Sequence, residues 1–429
     1  MPAWAQKRAH PTFVDSKHKY LKDKFILRNK GCACTWLAPA FIIHPLMKFA
    51  LTFLLAALLP VAVLAQQSLI PPSPALAAKS WLLYDLTSDQ VLVNENGHER
   101  MAPAALTKLM TAYLTFDSLK QNKLTLSQLV VPAPEALQAS DEGARMLLEP
   151  NKPATVEELL HGLIVQSGND AARALAALIG GNEEKFVALM NKEAQRLGMK
   201  NTYFTNSTGL PHAQHYSSAY DLALLAAALV RNFPERYSFF GIRDYQYNGI
   251  KQTNRNRLLW IDPNVDGMKT GHNESAGFCM VASAKHGSRR LISVLLGAAT
   301  DNQRAMESQR LLNFGFQYYE AIRLYEKNQP VKTLTLWKGT QSKVDIGLRS
   351  DLYLSIPKGQ QAELKATIET YQPLIAPVSG GQKAGMIKFT LGGKPYAEFP
   401  LVALETVPLA NMFSRGWDSI RLFFQQGIF

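Results

Sequence analysis

Two hairpin signatures bracket a run of helices, and this order limits the fold more than any other feature. Trp81-Leu82-Leu83-Tyr84 and Val91-Leu92-Val93 flank a turn at Thr87-Ser88-Asp89, which predicts a hairpin over Ser80–Asn96. Gly277 to Ala284 and Arg290 to Leu296, joined by Lys285-His286-Gly287-Ser288, predict a second. Between them lie helical patterns. One starts near Pro103, a residue suited to a first turn, and carries Leu106, Leu109, Met110, Tyr113 and Leu114 on one face. Thr155-Val156-Glu157-Glu158 is a capping box that opens a second. Others follow Asp170 to Gly180-Gly181, run from Glu183 to the left-handed stop at Gly198, and span Ala219 to Val230. The order predicts an α/β (α+β) domain in which an antiparallel sheet packs against a helical cluster.

The texture changes after about residue 325. Val331 to Trp337, Asp351–Ile356, Leu364–Tyr371 and Ile387–Leu391 alternate apolar and polar residues, with Gly and Pro between them. They predict a small all-β domain over 326–408. The tail, 409–429, places Leu409, Met412, Phe413, Trp417, Ile420 and Phe424 on one helical face, opposite Asn411, Arg415, Asp418 and Gln425. It reads as an amphipathic helix lying on a membrane surface.

Met47 to Leu59 has a basic start and an apolar core, and Val63-Leu64-Ala65 is a small-residue cleavage site. Residues 47–65 read as a secretory signal peptide, too short for a span of about 20 residues. Residues 1–46 have no regular period and are expected to lie upstream of the native start. They carry eight Lys/Arg against Asp15 and Asp23. With Lys48 they account for all but +5 of the +12 formal charge. The remainder has no dense basic stripe, which argues against nucleic acid as a partner. Cys32 and Cys34 fall in the leader, so the mature chain keeps Cys279 alone, in an apolar run that predicts a buried small residue. No His, Cys or Asp spacing suggests a metal site, and no cofactor is implied.

Three short elements carry chemistry. Ala105-Leu106-Thr107-Lys108 stands at a helix start, Ser167-Gly168-Asn169 at a helix–helix junction and Lys269-Thr270-Gly271 before the second hairpin. Their order and spacing resemble the S-x-x-K, S-x-N and K-T-G elements of serine acyl-transferring enzymes. Residues three apart on a helix share a face, so a lysine can reach the position of a nucleophile one turn away. Such a lysine acts as a base only when neutral, and a second cation such as Lys269 would lower its pKa.

The flanks extend the match: Pro103-Ala104-Ala105-Leu106-Thr107-Lys108-Leu109-Met110, Asn206-Ser207-Thr208-Gly209-Leu210-Pro211 and Val265-Asp266-Gly267-Met268-Lys269-Thr270-Gly271-His272. Residues 66–429 resemble the low-molecular-mass D-alanyl-D-alanine carboxypeptidases of the penicillin-binding proteins. The resemblance implies a penicillin-binding/β-lactamase-like domain over 66–325, binding peptidoglycan pentapeptide stems and β-lactams. It implies Lys108 as general base, Ser167 as proton relay and Asn169 as a holder of the substrate amide. Lys269 would stabilise charge, and Thr270 would hold the substrate carboxylate. The backbone N–H of residue 105 and one from the strand near His272, beyond Gly271, would form the oxyanion hole. Arg290 would anchor the free carboxylate of the terminal D-Ala. His212 and His215 read as loop residues. The resemblance also implies export to the periplasm and attachment to the outer face of the inner membrane through 409–429.

The chain departs from the family at one position: Ala105 stands where the serine nucleophile is expected. Thr107 is about 100° around the helix from Lys108 and cannot replace it. Loss of the nucleophile in a comparable serine hydrolase costs about 10⁶ in turnover, so the chain is expected not to acylate. An introduced substitution and a natural relative that binds wall peptides without cleaving them both fit. A serine β-lactamase fits less well, because the second element is Ser-Gly-Asn and a β domain and tail follow.

Overall fold

The computed structural model describes residues 72–138 and 143–426. The expected leader, Cys32, Cys34 and the signal peptide lie outside the described residues. In chain order the main elements are β1 (Ser80–Asp85), β2 (Gln90–Glu95), α1 (Lys108–Lys120), α2 (Val156–His161), α3 (Asn169–Gly180), α4 (Glu183–Arg196) and α5 (Ala219–Asn232). Then come β3 (Asp244–Tyr247), β4 (Ile250–Thr253), β5 (Val265–Asn273), β6 (Gly277–His286), β7 (Arg289–Ala298) and α6 (Asp301–Tyr318). The C-terminal region contains β8 (Tyr319–Tyr325), β9 (Pro330–Trp337), β10 (Lys343–Gly347), β11 (Leu352–Pro357), β12 (Leu364–Thr370), β13 (Lys383–Leu391), β14 (Lys394–Ala403) and α7 (Met412–Gln426).

The two hairpins join in one antiparallel sheet of order β2-β1-β7-β6-β5. Alternation divides its faces. Leu82, Tyr84, Cys279, Val281, Ile292 and Val294 bury against the helical cluster, while Trp81, Leu83, Met280, Ala282, Leu291 and Leu295 face α6 and the segment near Leu258. The sheet is therefore covered on both sides, which is why its strands read as nearly continuous apolar runs. Cys279 is fully buried, and burial pushes its thiol up to about 11, so it is an inert packing residue.

The helices form where their local signals stand. Thr155 N–H donates to Glu158 Oε2 at 2.7 Å while Glu158 N–H donates to Thr155 Oγ1 at 3.1 Å, closing the capping box at α2. The helix expected near Pro103 begins as a tighter 3-10 turn, Ala104–Thr107, and becomes α-helical at Lys108.

The C-terminal sheet has the order β12-β13-β14-β10-β9, with a short edge pairing of Leu336 to Leu374. β8 pairs with β11, so by hydrogen bonding the β region begins at Tyr319 rather than after the expected 325. An ionic contact ties this region to the first sheet. Arg289 Nε donates to Asp85 Oδ2 at 2.8 Å, and Ser355 Oγ on β11 donates to the same oxygen at 2.5 Å. Among the described residues no helix is long and apolar enough to cross a membrane.

Candidate active site

The three motifs meet in a cleft of about 650 Å³ whose wall includes Ala105, Lys108, Ser167, Asn169, Thr270, Gly271 and His272. Ala105 and Lys108 lie one helical turn apart at the start of α1. β5 runs beside that turn because Gly271 has no side chain: a Cβ there would stand 3.0 Å from Pro103 O and 3.1 Å from Ala105 N. The loop at Gly209 crosses even closer. Its φ is +85°, and a Cβ would fall 1.8 Å from Ala104 O, so both steric space and backbone conformation require glycine.

Lys108 is buried. Its Nζ donates to Asn169 Oδ1 and to Thr208 O, each at 2.7 Å. Thr208 is aimed by Asn206, whose Oδ1 accepts the N–H groups of Thr208, Gly209 and Leu210. Ser167 sits in the left-handed region (φ 67°) at the end of a π turn, and its Oγ accepts from Lys269 Nζ at 2.9 Å. Each lysine thus holds one residue of the Ser-Gly-Asn element. Lys269 is buried beneath the wall, with a second bond to Thr270 O at 2.8 Å.

Burial is the main cause that brings Lys108 down to about 7. The charges of Arg255 and Arg173 lower it further, and Asp170 opposes them. The two buried lysines repel each other, and Lys269 is held well below the usual lysine range by burial first and then by Lys108. Near neutrality the site therefore contains a lysine whose free amine is well populated. That amine can take a proton from a group placed at residue 105.

Asp170, next to Asn169, braces the far wall. Its carboxylate accepts the N–H groups of Met146, Leu147 and Leu148 at 2.9–3.1 Å, and Asn169 N–H donates to Ala144 O at 2.7 Å. His272 stacks on Phe278 with ring centroids 3.9 Å apart and lines the opposite rim.

Arg290 does not reach the cleft. It lies at the closed end of the β6–β7 hairpin, opposite Lys285, whereas Lys269 lies level with Val281. Its guanidinium makes a bidentate pair with Asp266 at 2.6–2.7 Å, donates to Ser283 Oγ and stacks over Tyr237. Those contacts hold the guanidinium against Asp266 and Ser283, away from the cleft, which corrects the expectation of a carboxylate anchor. The arginines that do line the cleft are Arg255, Arg257 and Arg304. Arg304, from the first turn of α6, donates to Gly271 O at 3.0 Å and packs over Phe278. No local signal marks it, because only the packing of α6 against β6 and β7 brings it there. His215 was also missed. It is buried, with Nε2 2.8 Å from Thr107 Oγ1 and Nδ1 accepting Thr205 N–H at 3.1 Å.

Residues 66–300 match the D-alanyl-D-alanine carboxypeptidase family, and residues 319–409 match the C-terminal domain of penicillin-binding protein 5. The chain belongs to the D-alanyl-D-alanine carboxypeptidase family. It is 40% identical to D-alanyl-D-alanine carboxypeptidase DacC of Escherichia coli, over 86% of this chain and 93% of that one. The solved penicillin-binding protein 5 of Haemophilus influenzae superposes with a TM-score of 0.76 at 39% identity, covering 79% of this chain and 99% of that one. Penicillin-binding protein D2 of Listeria monocytogenes, solved in its cefotaxime-bound form, aligns at 29% identity with a TM-score of 0.53. The match covers 57% of this chain and 100% of that one. The carboxypeptidase fold expected from the sequence, with its C-terminal β domain and terminal helix, is the one found.

Proposed function

We propose that the cleft binds the D-Ala-D-Ala end of peptidoglycan stem peptides, and β-lactams, and holds them without acylation because residue 105 is alanine. The observation that carries this reading is the completeness of everything around that methyl group. Lys108 is poised near neutrality, Ser167 is held by Lys269, and Asn169 is held by Lys108. On this reading Lys108 is the general base, Ser167 relays a proton to the leaving group and Asn169 binds the substrate amide. Lys269 stabilises charge. The N–H groups of residues 105 and 272 take the developing oxyanion. Thr270, and Arg304 bonded to Gly271 O, take the terminal carboxylate.

The test is labelling with a fluorescent penicillin, run on this chain and on its Ala105→Ser variant. Labelling of the variant alone supports the assignment. Labelling of the unmodified chain would mean that another residue attacks, and labelling of neither would overturn the chemistry.

A second reading, a peptidoglycan-binding scaffold that performs no hydrolysis, is favoured by Ala105 itself. It differs from the first in what Ala105 means: in the first, the cleft is that of a D-alanyl-D-alanine carboxypeptidase whose nucleophile has been replaced, and in the second, binding without hydrolysis is the role. Both readings place the protein in the periplasm, attached to the outer face of the inner membrane. The exposed apolar face of α7, with Phe413, Trp417, Ile420, Phe423 and Phe424, supports that placement.

A further inference from the structure

The imidazole of His215 bridges the start of α1 and the loop that faces it. Nε2 stands 2.8 Å from Thr107 Oγ1, and Nδ1 accepts Thr205 N–H at 3.1 Å. A ring nitrogen that accepts carries no proton. In the neutral ring the proton is therefore on Nε2, which donates to Thr107 Oγ1. The backbone donor at Thr205 thus fixes the tautomer, and the buried ring is a two-ended strut.

Both ends of the strut lead to Lys108. Thr107 precedes it in the turn that presents residue 105. Thr205 opens the loop whose Thr208 O accepts Lys108 Nζ at 2.7 Å. That loop is held as one turn by Asn206. Its Oδ1 accepts the N–H groups of Thr208, Gly209 and Leu210, and its Nδ2 donates to Leu210 O. A turn so bonded moves as a unit, so fixing Thr205 also fixes Thr208 O. Thr111 Oγ1 and Glu183 hold the loop at Ser207, and His215 holds it at Thr205. The backbone beside His215 is itself anchored. Tyr203 and Tyr216 exchange N–H···O bonds at 2.9 and 3.1 Å, and Met101 and Ser217 exchange another pair. The fit against α1 is close, since a Cβ on Gly209 would stand 2.9 Å from Thr107 Oγ1.

We propose that His215 is a positioning residue for the lysine base: by bridging Thr107 to Thr205 it keeps the Thr205–Leu210 loop closed over Lys108 and keeps water from its amine. This rests on the reading of the cleft given above and adds to it a residue that lies outside the cleft wall. Burial is the main cause that brings Lys108 down, so admitting water moves its titration back up. The charges that face Lys108, those of Asp170, Arg255, Arg173 and Lys269, are untouched by a change at His215. The titratable neighbour of His215 is His212. The ring stays neutral through the range tested, because burial holds it at about 4.

The test is the pH profile of the fluorescent-penicillin labelling rate, from pH 6 to 9, in the Ala105→Ser background. Adding His215→Ala is expected to move the rising limb up by about one pH unit. That is a deficit of about tenfold at pH 6 that closes by about pH 9. A merely structural role would lower labelling by the same factor at every pH. Thr107→Val removes the other end of the strut and should give the same shift, with no further shift in the double variant. His215→Gln carries an acceptor and a donor flanking one carbon, as the ring does, and should return the limb toward its original position. A limb that stays in place in both His215→Ala and Thr107→Val would overturn the role, as would a deficit that is constant with pH. No labelling of Ala105→Ser itself would overturn the reading of the cleft, a separate failure.

Discussion

Lys108 Nζ and Asn169 Oδ1 lie 2.7 Å apart, and that bond joins two motifs 61 residues apart in the chain. The lysine of that pair also carries a pH dependence. Lys108 titrates at about 7 rather than 10.5, mainly through burial, so its neutral form accumulates above about pH 7. Penicillin labelling by the Ala105→Ser variant is therefore expected to rise about tenfold per pH unit below 7 and to level off above about pH 8. Adding Lys108→Arg, which cannot give up its proton, should lower labelling by about 10²–10⁴. A profile that stays flat from pH 6 to 9 would remove Lys108 as the base.

His215 gives an opposite test, of stability rather than chemistry. Its Nδ1 accepts an N–H, so the neutral ring is the form that fits, and burial brings its pKa down from 6.5 to about 4. Between those values the unfolded chain binds a proton that the folded chain does not. Stability contributed by this group is thus present above about pH 6.5 and is lost as pH falls toward 4. Urea unfolding at pH 4.5 and 7 should show that slope, and His215→Ala should reduce it. The substitution should also cost about 1–3 kcal/mol at pH 7, because it removes buried hydrogen bonds.

Asp85 is fully buried between Arg289 and Ser355. Asp85→Ala leaves the Arg289 guanidinium, largely buried, without its countercharge. The expected loss is about 3–5 kcal/mol, seen in chemical denaturation. A loss under 1 kcal/mol would mean that the contact is not a true tie between the first sheet and the β region.

The tail docks by one edge only. Lys338 N–H donates to Asp418 Oδ2 at 2.7 Å, Leu422 is buried and Arg421 packs over Trp337, while Phe413 is 92% exposed. Deletion of 409–429 is expected to move the protein from the membrane fraction to the soluble fraction. Membrane association that survives the deletion rules out α7 as the anchor.

The motifs were legible in the sequence because each is a local pattern: a helical turn at Ala105 to Lys108, a junction at Ser167 to Asn169, and Lys269 to Gly271 just before a hairpin. The hairpins and the capping box were legible for the same reason. What failed was position along the sheet. Arg290 follows the K-T-G strand closely in sequence, yet antiparallel register carries it to the turn end, beside Asp266. Arg304, Arg255 and Arg257 reach the cleft only through tertiary folding. His215 lies in a loop, as expected, but nothing local shows that the loop buries it against Thr107.

The methyl group of Ala105 changes what occupancy of the cleft means. On a serine, a β-lactam would accumulate until every copy was consumed, regardless of how dilute the drug became afterwards. On the reading proposed above, nothing is captured on this chain, so the filled fraction would follow the surrounding concentration and fall again on dilution. A wall peptide would leave as it arrived, with both terminal residues in place. The protein would then act as a gauge of uncut stems, shielding each from a competing hydrolase for as long as it stays bound.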